Sequence, residues 1–186
     1  MTSPAAVRGQ EVRQRLLAAA AELIPERGWS AVSTRVLADR AGVTPSVVHY
    51  HFPSVQALLS EAAVTAMREL LAATDEQFTA ANTPAEAIDA MLASIEQHSG
   101  VDPVSLLFVE AYLAATRDER LREQLAALVA DFRQRVGDWL AIHQVPDPAA
   151  TAAVLAAAID GILLHRGLGA SGEGTADVLR RLVTQS

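Results

Sequence analysis

Residues 33–54 read STRVLADRAGVTPSVVHYHFPS, and this stretch decides what kind of fold the chain adopts. Ser33 has the hydroxyl of a helix-starting cap, and Leu37, Ala38 and Ala41 follow it at helical spacing. Gly42 can enter the left-handed region that ends a helix without a Cβ clash. Thr44 is then placed to cap a second helix, and Pro45 carries the φ that a first helical position needs. Two short helices across a tight turn make a helix-turn-helix, the unit that holds its second helix against the major groove of DNA. Spacing alone also fits an ordinary helical hairpin of a core.

The second helix sorts its residues into two faces. At about 100° per residue, Pro45, Ser46, His49 and Tyr50 share one arc, with Val47, Val48, His51 and Phe52 opposite. The second arc is mostly apolar and suits burial. The first carries a hydroxyl, an imidazole and a phenol, groups that reach base edges and phosphate oxygens.

Working outward, an amphipathic segment ends in Glu26-Arg27-Gly28-Trp29 before the motif, and Ala57-Leu58-Leu59 opens another helix after it. Together with Ser33-Thr34-Arg35, Leu37-Ala38, Ala41-Gly42-Val43-Thr44 and Tyr50-His51-Phe52-Pro53-Ser54, these residues resemble the N-terminal domain of the TetR family of transcriptional repressors. The resemblance covers about residues 8–59. It implies a DNA-reading head followed by an all-helical domain that dimerises and binds an effector. By the same resemblance, Arg35 reaches a phosphate or a guanine edge; read on its own it is equally a solvated charge. Ser33 and Thr34 bring hydroxyls and N–H groups to a helix start, a ready phosphate site. Thr44, Pro45, Ser46, His49 and Tyr50 form the expected DNA face, and His51 and Ser54 are further phosphate candidates. His51 also fits a half-buried packing role, and Arg8 either reaches into a groove or stays free. Two positions depart from the family: His49 replaces a common Tyr, and Val55 replaces a Lys that pairs with a DNA phosphate. The second change implies one fewer salt-dependent contact per subunit.

Composition agrees with such a protein. A chain of 186 residues that is 51% hydrophobic but only 4% aromatic builds its core from Leu, Ala, Val and Ile, and its Ala content favours helix throughout. The net charge of -7 is unevenly spread: residues 1–55 hold six Arg and four acids, and the remainder holds nine Arg and eighteen acids. The mildly basic part is the part that would face DNA. There is no Cys, which excludes disulfides, thiolate metal sites and a cysteine nucleophile and suits a reducing cytoplasm. His49 and His51 are two apart and point to different sides of a helix, so no metal is expected. No cofactor is implied. Residues 16–24 resemble a signal peptide's apolar part only until Glu22, and the apolar run at 148–159 is too short to cross a bilayer before it meets Asp160. No membrane is expected as a partner.

The expected architecture is all-α with about nine helices: a flexible arm at 1–9, a three-helix DNA-binding domain at 10–54, and an effector-binding and dimerisation domain at 55–186. Helices are predicted near 10–27, 34–41, 45–52, 55–74, 84–98, 103–115, 117–143, 148–168 and 175–184. Several starts are marked by caps: the Thr83–Glu86 capping box, and the acid-proline steps Asp102-Pro103 and Asp147-Pro148. The helix at 148–168 is apolar nearly all round, which calls for cover on two sides. Its Ala149, Ala153, Ala156, Ala157 and Leu164, with Val178, Leu179 and Leu182 of the last helix, are predicted to meet a second copy around a two-fold axis. A central helix of a monomer is the alternative.

For an effector, Met67, Phe78, Met91, Ile95, Phe108, Tyr112, Trp139 and Leu163 are the candidate pocket walls, and His98, Glu110, Asp138 and His165 the candidate polar groups. Each apolar one is more often plain core than a pocket wall. Asp160 either pairs with Arg166, faces a cavity or lies at the dimer seam. No nucleophile sits beside a base and no phosphate-cradling loop is present, which argues against an enzyme. The rival reading is a helical enzyme or scaffold with a non-functional head. Effector, operator and sign of regulation are not written in these residues.

Overall fold

The computed structural model describes residues 4–170 and 174–184, and those residues are all-α. The helices are α1 (Pro4–Arg27), α2 (Thr34–Ala41), α3 (Pro45–His51), α4 (Val55–Ala80), α5 (Pro84–Glu96), α6 (Pro103–Ala115), α7 (Glu119–Ile142), α8 (Pro148–Gly167) and α9 (Thr175–Thr184). A short 3-10 turn, Trp29–Ala31, lies between α1 and α2; no sequence signal announced it. Helix α1 begins at Pro4, so residues 4–9, expected as part of a flexible arm, are helical; residues 1–3 lie outside the described residues.

The chain divides into two compact units. The first comprises residues 1–67 and 106–122, the second residues 68–105 and 123–186. This differs from the expected division at 54/55, because α4 contributes a half to each unit and most of α6 packs with the head. Helix α4 also runs six residues beyond the expected end at 74. Phe78 anchors the last turn in the second core, while Thr74 and Thr79 donate their hydroxyls back to the Leu70 and Asp75 carbonyls.

In the first unit, α1 packs on α2 and α2 on α3. Leu16, Ala20, Leu23 and Ile24 of α1 are fully buried, as are Leu37 and Ala38 of α2 and Leu58 and Leu59 of α4. In the second unit, Phe78, Ile88, Met91, Ile95, Phe132, Val136, Leu140, Ala152, Leu155, Leu179 and Val183 form one cluster. Arg180 of α9 ties Asp89 of α5 at 2.6 Å, and Arg135 of α7 ties Asp75 of α4 at 2.9 Å.

Caps explain most helix starts. Ser33 Oγ accepts the Val36 amide, Thr83 Oγ1 accepts the Glu86 amide, and Asp102 accepts the Ser105 amide. Two expected caps are absent. Asp147 sits in the left-handed region (φ 45°, ψ 54°), which turns its carboxylate away from the α8 amides, whereas a cap needs extended backbone. Thr44 makes no side-chain cap either: its carbonyl accepts the Val47 amide, and its hydroxyl pairs with Ser46 Oγ at 2.9 Å.

Helix α8 runs through Asp160 to Gly167, 20 residues that include an 18-residue stretch of mean hydropathy 1.5. By length and composition alone it passes for a membrane span, a test that the core helix of a soluble protein also passes. Ala152 and Leu155 face the core, whereas Ala149, Val154, Ala157 and Leu164 are exposed.

Candidate nucleic-acid interface

The three-helix head builds an open face by burying the opposite one. Gly42 adopts φ 66° and ψ 41°, and its N–H closes α2 onto Ala38 and Asp39, which turns the chain directly into α3. In α3, Val48 is 1% exposed and Phe52, its C-cap, 3% exposed. These two side chains fix the rotation of the helix, and the other arc is thereby outward. Thr44, Pro45, Ser46 and His49 are exposed, and Tyr50 is 85% exposed. An aromatic ring left so open has no packing role in the single chain. His51 is half-buried and meets the Tyr50 ring edge-on, with centroids 5.1 Å apart.

Around α3 the remaining expected contacts divide by task. Arg35, one residue inside α2, is exposed and has no ion pair among the described residues. Arg40 is also on α2, but Glu22 and Glu26 of α1 hold its guanidinium at 2.9 and 2.6 Å. Ser33 and Ser54 each spend a lone pair on a helix cap, Ser54 Oγ accepting the Ala57 amide at 3.1 Å, while both stay exposed. Their O–H groups remain able to donate. Arg8 is exposed on the first turns of α1. Val55 opens α4 half-buried and carries no charge.

Residues that the motif does not contain hold the head together. Arg13 of α1 reaches Glu61 of α4 at 2.5 Å, and its guanidinium lies 4.7 Å over the Phe52 ring. Trp29 is buried; its indole N–H donates to Gln56 Oε1 and its amide N–H to Glu110 Oε2, both at 2.7 Å. The long separations, 27 and 81 residues, hide these bonds from any reading of local sequence.

The candidate effector residues are drawn from both units. Met67, Phe108 and Tyr112 belong to the first unit; Phe78, Met91, Ile95, His98, Trp139 and Leu163 belong to the second. Phe78, Met91 and Ile95 are solid core, buried against Phe132, Val136 and Leu140. Tyr112 is 70% exposed. His98 is engaged with Asp102, its Nδ1 being 3.1 Å from Oδ1. Trp139 is half-buried between Phe78, which it meets edge-on, and His143. The sequence reading missed Gln77, whose Oε1 is buried with no donor among the described residues.

One further expectation needs correction, and one of the alternatives for Asp160 is removed. Leu179 does not lie on the outer face of α9: it is 4% exposed and packs with Val183 in the core, while Val178 and Leu182 point outward. The last helix carries two apolar stripes one residue apart, and only one is free. Asp160 does not pair with Arg166, whose guanidinium instead reaches the Ile95 carbonyl. Six residues apart, the two lie on different sides of α8. Crowding by neighbouring groups disfavours the charged form of Asp160 and raises its pKa above the usual carboxylate value, although water still reaches it.

Comparison with known proteins bears on this arrangement. Residues 16–62 match the family described as bacterial regulatory proteins, tetR family, and residues 82–185 match the tetracyclin repressor-like C-terminal domain. The chain belongs to the TetR family. A solved structure described as a transcriptional regulator, SCO7518 of Streptomyces coelicolor A3(2), is 34% identical with a TM-score of 0.76, covering 94% of this chain and 99% of that one. The HTH-type transcriptional regulator BetI of Rhizobium meliloti is 28% identical over 162 residues, 84% of this chain and 78% of BetI. The multidrug binding protein EbrR, solved with imidazole, is 29% identical with a TM-score of 0.68 over 95% of this chain and 92% of EbrR. As a TetR-family member the protein is a helix-turn-helix transcriptional regulator rather than an enzyme.

Proposed function

We propose that this regulator is a ligand-responsive repressor that binds a palindromic operator as a homodimer in the cytoplasm. The single observation that carries the DNA contact is the outward arc of α3. Thr44, Pro45, Ser46, His49 and Tyr50 are exposed together, while Val48 and Phe52 lock the helix from behind. Ser33, Thr34, Arg35, His51 and Ser54 flank that arc as backbone contacts, positioning the reader without specifying sequence. Residues 10–54 are the reading domain on this account, and residues 55–186 bind effector and dimerise.

Dimerisation is supported by the unpartnered apolar surface of α8 and α9. Ala149, Ala157, Leu164, Val178 and Leu182 are exposed and Ala153 and Ala156 half-buried in the single chain. A symmetric pair covers this surface and presents two reading heads to two half-sites. It also accounts for an apolar 20-residue helix without any membrane.

EbrR is a multidrug binding protein, and a small organic molecule is the effector class we assign here. Within the second unit, half-buried Trp139 and Leu163 supply apolar walls, and the unsatisfied Gln77 oxygen supplies an acceptor. Helix α4 belongs to both units, so an effector that displaces its second half acts on the half that follows α3. A preference of about 3 kcal/mol for the non-binding state releases DNA by roughly a hundredfold.

A gel shift tests the reading, using duplex enriched by the wild-type protein from a random-sequence pool together with DNA upstream of the gene. Arg35→Ala and His49→Ala are each expected to weaken binding by about tenfold. Absence of a specific shift at low salt would remove the proposal.

A further inference from the structure

The geometry points to Glu110 of α6 as the positioning residue that sets the reading head, its carboxylate holding the Trp29 amide so that α6 and the start of α2 move together. This rests on the DNA-binding reading above and adds a second route to the one through α4.

Three observations converge. First, Gly28 adopts φ 81° and ψ 151°, a conformation essentially reserved for glycine. The backbone strain that any side chain would meet there is tolerated at the point where α1 gives way to the 3-10 turn. Second, that conformation presents the Trp29 N–H to Glu110 Oε2 at 2.7 Å, and a Cβ placed on Gly28 would lie 3.6 Å from Glu110 Oε1. A charged acceptor makes this bond about twice as strong as a neutral pair. Third, the Trp29 side chain is itself immobilised, buried with its indole N–H on Gln56 at the first turn of α4.

One residue thus joins α1, α4 and α6, and Ser33, the cap of α2, follows only four positions later. A displacement of α6 of more than a bond length either breaks the Glu110 bond or carries the start of α2 with it. Helix α6 leaves the second unit at residue 105 and belongs to the first from residue 106, so Glu110 lies in the same unit as Trp29. The pull would act on the first helix of the reader, whereas a pull through α4 acts behind the second. No local motif marks Glu110, because its partner is 81 residues away.

The test compares wild type, Glu110→Gln and Glu110→Met on duplex enriched by the wild-type protein. Gln keeps an acceptor of the same reach; Met keeps length and helix preference but accepts nothing of comparable strength. The Gln variant is expected within about twofold of wild type and the Met variant about tenfold weaker. Both should have wild-type helicity by circular dichroism. A Met variant that binds like wild type, or a Gln variant that falls as far as Met, overturns the inference. Should the Met variant not fold, hydrogen exchange on the wild-type protein decides: the Trp29 amide is expected to be protected and to slow further when the duplex is added. Unprotected exchange, or protection indifferent to DNA, overturns it equally. A wild-type protein that enriches no duplex removes the DNA reading itself, and the inference with it.

Discussion

Asp102 accepts the amides of Ser99, Gly100 and Ser105 at 2.9, 3.3 and 3.1 Å and the Ser105 hydroxyl at 2.8 Å, with the His98 ring also in reach. Burial alone would raise its pKa, but the bonds from Ser105 and His98 outweigh burial and hold the carboxyl well below its usual 3.8. A depressed folded value contributes stability that is present above the unfolded pKa and lost as pH falls through the folded one. Asp102→Asn is therefore expected to cost about 1–3 kcal/mol at pH 7. In urea unfolding at a series of pH values, that difference should shrink progressively below about pH 4. A gap that stays constant down to pH 2 would contradict the role. The acid cap was legible as Asp-Pro before an apolar run, although the same signal at Asp147 gives no cap because its backbone is left-handed. The bond of Asp102 to His98 was not legible, and His98 therefore read as a free polar group. Tyr50 and His49 were legible as outward residues, since helical spacing and the apolar Val48 and Phe52 leave one rotation that buries the right face.

At the scale of elements, the turn between α5 and α6 is pressed against the end of α8. A Cβ on Gly100 would come 2.3 Å from the Leu163 carbonyl oxygen and 2.4 Å from the Gly167 nitrogen, and its φ is +80°. Two backbones approach where neither can carry a side chain. Gly100→Ala is expected to lower stability by at least about 3 kcal/mol, because both strain and overlap must be relieved by moving α8. Gly169→Ala is the control: its φ is +81° but nothing lies within 4 Å, so only about 1 kcal/mol of backbone strain is expected. Thermal unfolding of the two variants measures the difference; equal costs would mean that the close approach carries no energy. Nothing in the local sequence marks which of the two glycines is crowded. Helix existence was legible wherever caps and Pro marked a start, as at Pro84, Pro103 and Pro148. The short turn at Trp29–Ala31 was not, because it is held by Glu110 and Gln56, partners outside its own segment.

For the whole molecule, the proposed symmetric pair rests on the open face of α8 and α9. Leu164 is 51% exposed in the single chain, so Leu164→Glu costs a monomer little. In a symmetric pair the charge would be buried twice without a partner, a cost of several kcal/mol. Light scattering at micromolar concentration is expected to give a dimer mass for wild type and a monomer mass for Leu164→Glu, with operator binding lost alongside. A wild-type monomer would refute the assembly. The apolar character of α8 was plain from its residues, but α9 was misjudged: Val178, Leu179 and Leu182 read as one stripe, and only packing on α5 shows that Leu179 turns inward.

What the chain determined by itself was whatever is encoded within a few residues: the caps at Ser33, Thr83 and Asp102, the glycine that ends α2, the two arcs of α3 and the greasy continuity of α8. Helical periodicity and turn chemistry act over one or two turns, so they survive without knowledge of the fold. What only the tertiary structure decided were the bonds between distant segments, Glu110 to Trp29 and Arg13 to Glu61, together with the division of α4 and α6 between two units and the inward turn of Leu179. These depend on which surfaces meet once the chain has closed on itself. A carboxylate or a leucine has the same local signature whether or not its partner arrives.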